Sequence, residues 1–321
     1  MEIQRVGLGI PLPTLERICM DCASLVGPQG QPIEEVLASV SEFIFVQKDR
    51  FGQEIASALG SITQPIPATD DGNFCLAGKA IPCRGPGGAV TSKVFINEII
   101  IIPIVNCCWQ PQNIVEEYRY VISHEIGHSL DYFIRRIVSP RELTADEMRA
   151  TPFRIHTTAE YHSQRLAFEV AAEINSARAV SADLLSRMYK LTRETVCRHK
   201  EFIDRELGKL QNGVVDAREA SYLVNSALWS ILTDCAQIFA TMSANTRFSD
   251  GYRHPWVDSP WENILRRQLE IVRTLVKSYP QWPADAMLPV QDVWRDLGIE
   301  LFNCRFVKGE IEDHVVVHGA D

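Results

Sequence analysis

Two histidines and a glutamate with helical spacing are the residues of this chain best suited to chemistry. They stand in the pentapeptide His124-Glu125-Ile126-Gly127-His128. Side chains four residues apart lie one above the other on a helix, so both imidazoles can reach one tetrahedral metal ion. The pattern H-E-x-x-H therefore predicts one Zn²⁺ per chain, with Glu125 as general base on a zinc-bound water.

The surrounding sequence predicts one long helix from Asn113 to Ile137, with no Pro and with Gly127 as its one Gly. At 100° per residue its apolar side chains form a stripe about 120° wide, and His124, His128 and Asp131 cluster on the opposite side. The members of the stripe are Tyr118, Ile122, Ile126, Leu130, Phe133 and Ile137. We expect one face to pack and the other to look into a cleft.

Composition and charge limit the classes of partner. The chain has 321 residues, 46% of them hydrophobic, enough for one large domain or two smaller ones. Its formal charge is −9 and it has no Lys/Arg run longer than a pair, which argues against nucleic acid and anionic membranes as partners. The longest apolar run, Ile99 to Val105, is too short to span a bilayer. The N-terminal residues lack the plan of a secretory signal, so we expect a cytoplasmic protein.

The cysteines favour reduced thiols over a disulfide framework, because nine is an odd number and their spacing is irregular. Cys19 and Cys22 form a C-x-x-C pair. Cys75 and Cys83 are the residues that could complete a second zinc site, but their spacing of eight departs from the usual knuckle. A second metal at Cys19 and Cys22 stays open at this point.

The chain in order predicts three regions. They are an N-terminal helical cap (1–60), a metal-binding core (61–180) and a mainly helical C-terminal region (181–321). The Pro- and Gly-rich residues 61–92 predict irregular structure. The β-branched segment Val94–Val105 predicts a strand, and Pro103 within it favours a sheet edge or a bend. An extended peptide could add to such an edge, and a buried strand without a ligand role is the alternative.

The third metal ligand decides the class of zinc hydrolase, because such sites keep three protein ligands and one open position. The extended metzincin pattern requires Gly and His where this chain has Asp131 and Ile134. The inverted motif H-x-x-E-H is absent as well. Both of these classes are therefore excluded.

A second helix with a polar face is predicted after the motif. Thr157 followed by Glu160 has the capping-box pattern of a helix start. Beyond it, His162, Glu169 and Glu173 fall on one face. Such a polar stripe is usually only a solvated face of a helix.

These two helices resemble those of the gluzincins, and more distantly of the anthrax-lethal-factor-like zincins. The run Glu169-Val170-Ala171-Ala172-Glu173 is similar to their E-x-x-A-E glutamate helix, and the H-E-x-x-H segment followed by Asp131 is similar to their metal helix. The resemblance covers about residues 94–180 and implies an α+β fold. Its parts would be a zincin-like core (a small sheet with an edge strand, the H-E-x-x-H helix and the glutamate helix) and a mainly helical C-terminal part.

The resemblance also implies roles for individual residues. Glu169 would be the third zinc ligand and Glu173 a partner that orients a ligating imidazole, a role we also expect for Asp131 one turn after His128. Gluzincins supply a Tyr or His that stabilises the oxyanion. His162 is preferred here because it shares a face with Glu169, and Tyr161 is the alternative.

The expected function is that of a zinc metallopeptidase acting on a peptide or protein substrate. Two alternatives from other classes stay open. One is a zincin-fold regulatory or scaffold protein that binds zinc without efficient turnover, and the other is a metal hydrolase of non-peptide amides or esters. Glu125 favours an enzyme, since a purely structural zinc site has no use for a general base.

Overall fold

The computed structural model describes the parts of the chain that carry the H-E-x-x-H motif and most of its surroundings. These are residues 2–23, 33–59, 77–101, 115–136, 159–167, 182–216, 299–307 and 310–317, with six single residues between 219 and 240. Contacts between Cα atoms divide the chain into two compact units. The first is Met1–Ser139 with His162–Ala177, and the second is Pro140–Tyr161 with Arg178–Asp321.

A four-stranded mixed sheet forms the centre of the first unit. Its strands are β1 (Glu2–Val6), β2 (Val40–Val46), β3 (Gly78–Arg84) and β4 (Val90–Asn97), in the spatial order β1-β2-β4-β3. The β1–β2 and β2–β4 pairs are parallel, and β3 runs antiparallel to β4. β1 and β3 are therefore the edges of this sheet.

Apolar side chains on both faces of the sheet are buried, because successive residues of a strand point to opposite sides. Phe43, Phe45, Val94 and Ile96 pack on the face that carries helices α1 (Leu12–Ala23) and α2 (Ile33–Ser39). Residues of the opposite face pack against α3 (Lys48–Ala58), through Phe51 and Ile55. Such two-sided burial explains the continuous apolar runs 43–46 in β2 and 94–96 in β4.

The helix of the H-E-x-x-H motif, α4 (Val115–Arg135), packs on β3 and β4 and contacts α1 and α2. It confirms the predicted helix over its described length. The stripe residues Tyr118, Ile122, Ile126 and Leu130 are buried in the main core. On the opposite side Ser123, Ser129 and Asp131 are at 1% exposure or less, whereas His124 and His128 are partly exposed.

The predicted strand region 94–105 differs from the strand that forms. β4 ends at Asn97, whose side chain accepts a hydrogen bond from the Ile99 N–H, and residues 98–100 make a 3₁₀ turn. β4 also lies inside the sheet, which agrees with the alternative of a buried strand and not with an edge strand. The β-branched residues marked burial on both faces rather than an edge. Pro103 lies outside the described residues.

Two further expectations are corrected by the sheet. Residues 1–60 were expected to form a helical cap, but they supply β1 and β2. The apolar residues Val40, Phe43 and Ile44 fit a helical period, yet they belong to a continuous buried strand. Residues 61–92 were expected to be irregular, but they contain the edge strand β3.

The second unit contains long helical structure and a hairpin in its described part. Its helix α6 extends from Ala182 to Gln211. A further helix, α5, covers residues 159–167, of which 159–161 belong to the second unit and 162–167 to the first. Strands β5 (Ile299–Val307) and β6 (Glu310–Val317) pair antiparallel. The architecture is thus α+β. None of the described helices has the length and apolarity that crossing a membrane requires.

Candidate metal centre

The two motif histidines face each other on α4. Their Nε2 atoms lie 3.2 Å apart, and the ring planes are close to perpendicular, with centroids 4.7 Å apart. Two nitrogen ligands at about 2.0–2.1 Å from a tetrahedral Zn²⁺ are separated by about 3.3–3.4 Å. Because this separation matches one edge of the zinc tetrahedron, the pair fits the metal that the sequence predicts.

Gly127 sets how closely α5 approaches α4 beside this pair. A Cβ added to Gly127 would lie 2.6 Å from Ser163 Cα, closer than real side chains approach a backbone atom. The backbone of α5 at Ser163 therefore passes directly over Gly127. Glu160 lies three residues before Ser163, on the same face of α5.

We expect Gly127→Ala to destabilise the protein by about 1–3 kcal/mol, because the added methyl has no space against the α5 backbone. Chemical denaturation should measure the change in the free energy of unfolding. Gly208→Ala on α6 is the matched control, since an added Cβ there meets nothing within 4 Å. That variant should gain about 0.5–1 kcal/mol from helix propensity. Equal effects in the two variants would contradict the close packing of α4 and α5.

Glu160 completes a group of possible metal ligands with the two histidines. One ligand atom from each of His124, His128 and Glu160 lies within 4.8 Å of the others. Two imidazoles and a carboxylate form one of the ligand sets of catalytic zinc. Gln237 donates a hydrogen bond from Nε2 to Glu160 Oε1, which restrains the carboxylate.

Glu125 contacts the edge strand β3. Its side chain is buried, and Oε2 accepts a hydrogen bond of 2.7 Å from the backbone N–H of Ala80 on β3. It is not a member of the ligand group. The role of general base expected for Glu125 stays a prediction.

Asp131 is engaged with Arg135 one turn further along α4. Arg135 Nε donates to both carboxylate oxygens, at 2.8 and 3.0 Å. The two side chains are 1% and 3% exposed, so this is a buried ion pair. The orienting role expected for Asp131 toward a ligating histidine stays a prediction.

Asp131→Ala is expected to cost about 3–5 kcal/mol of unfolding free energy, because it leaves the buried Arg135 charge without its carboxylate. Glu54→Ala is the matched control. Glu54 pairs with Arg50 at the same helical spacing, but these side chains are 29% and 51% exposed. Its loss should change stability by less than about 0.5 kcal/mol in urea denaturation. A similarly small effect at Asp131 would show that the buried pair does not stabilise α4.

His162 and Tyr161, the candidates for oxyanion stabilisation, are both buried on α5. Burial lowers the pKa of His162 to about 4, with Asp131 acting in the opposite direction and Arg135 and Arg165 reinforcing the shift. The ring is therefore neutral at neutral pH, and a neutral imidazole carries one N–H donor. Tyr161 packs in an apolar cluster with Ala236 and Ala240. These contacts do not test whether His162 or Tyr161 stabilises an oxyanion, so both roles stay predictions.

Two sequence-based assignments remain, the glutamates Glu169 and Glu173 and the C-x-x-C pair Cys19 and Cys22. Glu169 and Glu173 lie outside the described residues. Cys19 and Cys22 are buried and reduced on α1, and burial raises the pKa of both thiols well above the usual range. Within the described residues, they do not belong to a group that could hold a metal.

Sequence reasoning missed two parts of this site. Glu160 was interpreted only as a capping-box residue, although its carboxylate, at the start of the second helix, was also a candidate ligand. Gly78 and Ala80 of β3 lay in a stretch expected to be irregular. A single sequence carries no signal for the contact of Ala80 with Glu125, because it joins residues far apart in the chain.

Comparison of the chain with protein-family models, curated proteins and solved structures gives no match.

Proposed function

We propose that this protein is a zinc-dependent metallopeptidase that hydrolyses peptide bonds. The observation that carries the proposal is the 3.2 Å separation of the His124 and His128 Nε2 atoms, with Glu160 beside them. Together with Glu125 in the same motif, these residues provide metal ligands and a separate proton acceptor. A structural zinc site needs only the ligands.

His124 and His128 would hold the metal with a carboxylate as third ligand. Glu160 is the carboxylate that the described residues bring to the histidines, and Glu169 is the one implied by the resemblance to the gluzincins. Three protein ligands leave one coordination position open. When bound there, Zn²⁺ supplies Lewis acidity that polarises the scissile carbonyl and makes water easier to deprotonate.

Glu125 would act as the general base that takes the proton from the attacking water. Proton transfer by a positioned side chain contributes about 10²–10⁴-fold to rate. The hydrogen bond from Ala80 holds the carboxylate and leaves its second oxygen, Oε1, for the water. His162, or Tyr161 in its place, would donate to the oxyanion as the carbonyl carbon becomes tetrahedral.

Metal analysis combined with digestion of an unbiased peptide library tests the proposal. The native chain should contain one zinc per chain and cleave peptides, lose cleavage on chelation and regain it when zinc is added back. Stoichiometric zinc without any cleaved peptide would favour the regulatory or scaffold protein. Cleavage of aryl amides or esters, but of no peptide, would favour the non-peptide hydrolase.

A further inference from the structure

The edge strand β3 of the sheet contacts Glu125, the proposed general base. The Ala80 N–H donates to Glu125 Oε2 at 2.7 Å, and both residues are buried. A bond between an N–H and a carboxylate is charge-assisted and stronger than one between neutral groups. The carboxylate is thus fixed to a strand as well as to its own helix.

The pairing of β3 with β4 explains why Ala80 has an N–H to give. Asn97 N donates to Ala77 O at 2.9 Å, and Gly85 N donates to Ala89 O at 2.8 Å, one at each end of the pair. Hydrogen-bonded residues alternate along an antiparallel pair, so the odd-numbered residues of β3 bond to β4. The backbone groups of Ala80 therefore point to the open edge.

The same edge offers few other donors. Pro82, the next residue whose backbone points outward, has no N–H. Because Glu125 takes the Ala80 N–H, an extended peptide cannot receive a main-chain hydrogen bond from Ala80 while this contact is present. The central part of this edge therefore binds the protein's own Glu125 and not an extended peptide.

Gly78 gives Glu125 the space it occupies. A Cβ built on Gly78 would lie 2.7 Å from Glu125 Cγ and 3.0 Å from Oε1. Any larger residue would push the carboxylate out of its position. Gly78 and Ala80, which we call the Glu125 cradle, therefore define the position of this side chain from two sides.

We propose that the Glu125 cradle is a positioning element for the general base: Gly78 supplies the space and the Ala80 N–H holds the carboxylate for proton transfer. The inference rests on the peptidase function proposed above. Catalysis is sensitive to such placement, since a displacement of about 1 Å can lower a rate about 10²-fold. Neither residue is a metal ligand, so the cradle acts on the rate and not on zinc binding.

Gly78→Ala tests the cradle with Gly85→Ala as its control. Both glycines flank β3, but a Cβ at Gly85 would meet nothing closer than 3.6 Å. We expect Gly78→Ala to lower kcat about 10²-fold with KM and zinc content unchanged, and Gly85→Ala to keep the native kcat. In a Glu125→Ala background, Gly78→Ala should have no further effect on rate. Native kcat in Gly78→Ala, or an equal loss in the Glu125→Ala background, would overturn the proposal.

Removal of the donor alone covers the case in which Gly78→Ala fails to fold. Lactic acid in place of Ala80 replaces the amide N–H by an ester oxygen, so the donor to Glu125 is lost while the residues of β3 that bond to β4 keep their N–H groups. This variant should show the same selective loss of kcat. A rise in kcat would overturn the proposal, because it would mean that the contact restrains Glu125 in an inactive position.

The amide signal of Ala80 provides a readout that does not depend on activity. In the native chain labelled with ¹⁵N-alanine, a hydrogen bond to a carboxylate should shift the Ala80 proton downfield and slow its exchange. Glu125→Ala should abolish both effects, and an unchanged signal would overturn the cradle. If the signal responds but the native chain cleaves no peptide, the contact exists, whereas the proposed function and the catalytic role of the cradle fail.

Discussion

Glu125→Gln is expected to lower kcat by about 10²–10⁴-fold while zinc content and fold stay unchanged. The amide has nearly the same shape as the carboxylate but cannot accept the proton from water. Its carbonyl oxygen can still accept the hydrogen bond from Ala80, so the side chain keeps its place on β3. Single-turnover rates on a peptide from the library, with zinc measured in the same sample, give both quantities.

His124→Ala is the comparison that gives the Glu125 result its meaning. It removes a ligand from the histidine pair, so zinc and activity should be lost together. In a zinc scaffold, function would follow metal content in both variants, and Glu125→Gln would retain it. If Glu125→Gln keeps full function in an assay that the native chain passes, the peptidase proposal is wrong. The result would then support a protein that binds zinc without turnover.

The helix of the motif could be predicted from the sequence because its information is local. Histidines four residues apart and an apolar stripe of period 3.6 both repeat along a single element. The structure confirms the helix, the burial of Tyr118, Ile122, Ile126 and Leu130, and the closeness of the two imidazoles. No distant partner is needed for any of these.

The sheet was harder to predict because strand pairing is not local. β2 and β4 are apolar on both faces, which gives no alternation to distinguish a central strand from an edge or a helix. The sequence of β3, by contrast, does not predict a strand at all. Its small and cyclic residues, Gly78, Ala80 and Pro82, have weak strand propensity, and they form a strand through pairing with β4.

The burial of polar side chains on α4 was also hard to predict, because it too depends on contacts between distant parts of the chain. Asp131 was expected to face a cleft because it lies on the side of the helix opposite the apolar stripe. The structure buries it with Arg135 four residues away. The i,i+4 spacing of the two charges was visible in the sequence, but their burial depends on α5, whose approach requires Gly127.

The third ligand is the part of the site on which sequence and structure suggest different residues. The resemblance to the gluzincins implies Glu169, by its place in the run Glu169-Val170-Ala171-Ala172-Glu173. The described residues place Glu160 with the histidines. Only one of the two is needed, since a fourth protein ligand would close the position that water requires.

Glu160→Ala is expected to weaken zinc affinity by more than about 100-fold, because loss of a partner outside the ligand set alone costs roughly 10–100-fold. Glu169→Ala is the matched variant and should keep most of the affinity. Competition with a chromogenic chelator measures both, and urea denaturation of the metal-free proteins shows whether the fold is intact. The expected order reflects the ligand atoms of Glu160, His124 and His128, which lie within 4.8 Å of one another before any metal binds. The reverse order would assign the third ligand to Glu169, and Glu160 would then be only a hydrogen-bond acceptor for Gln237.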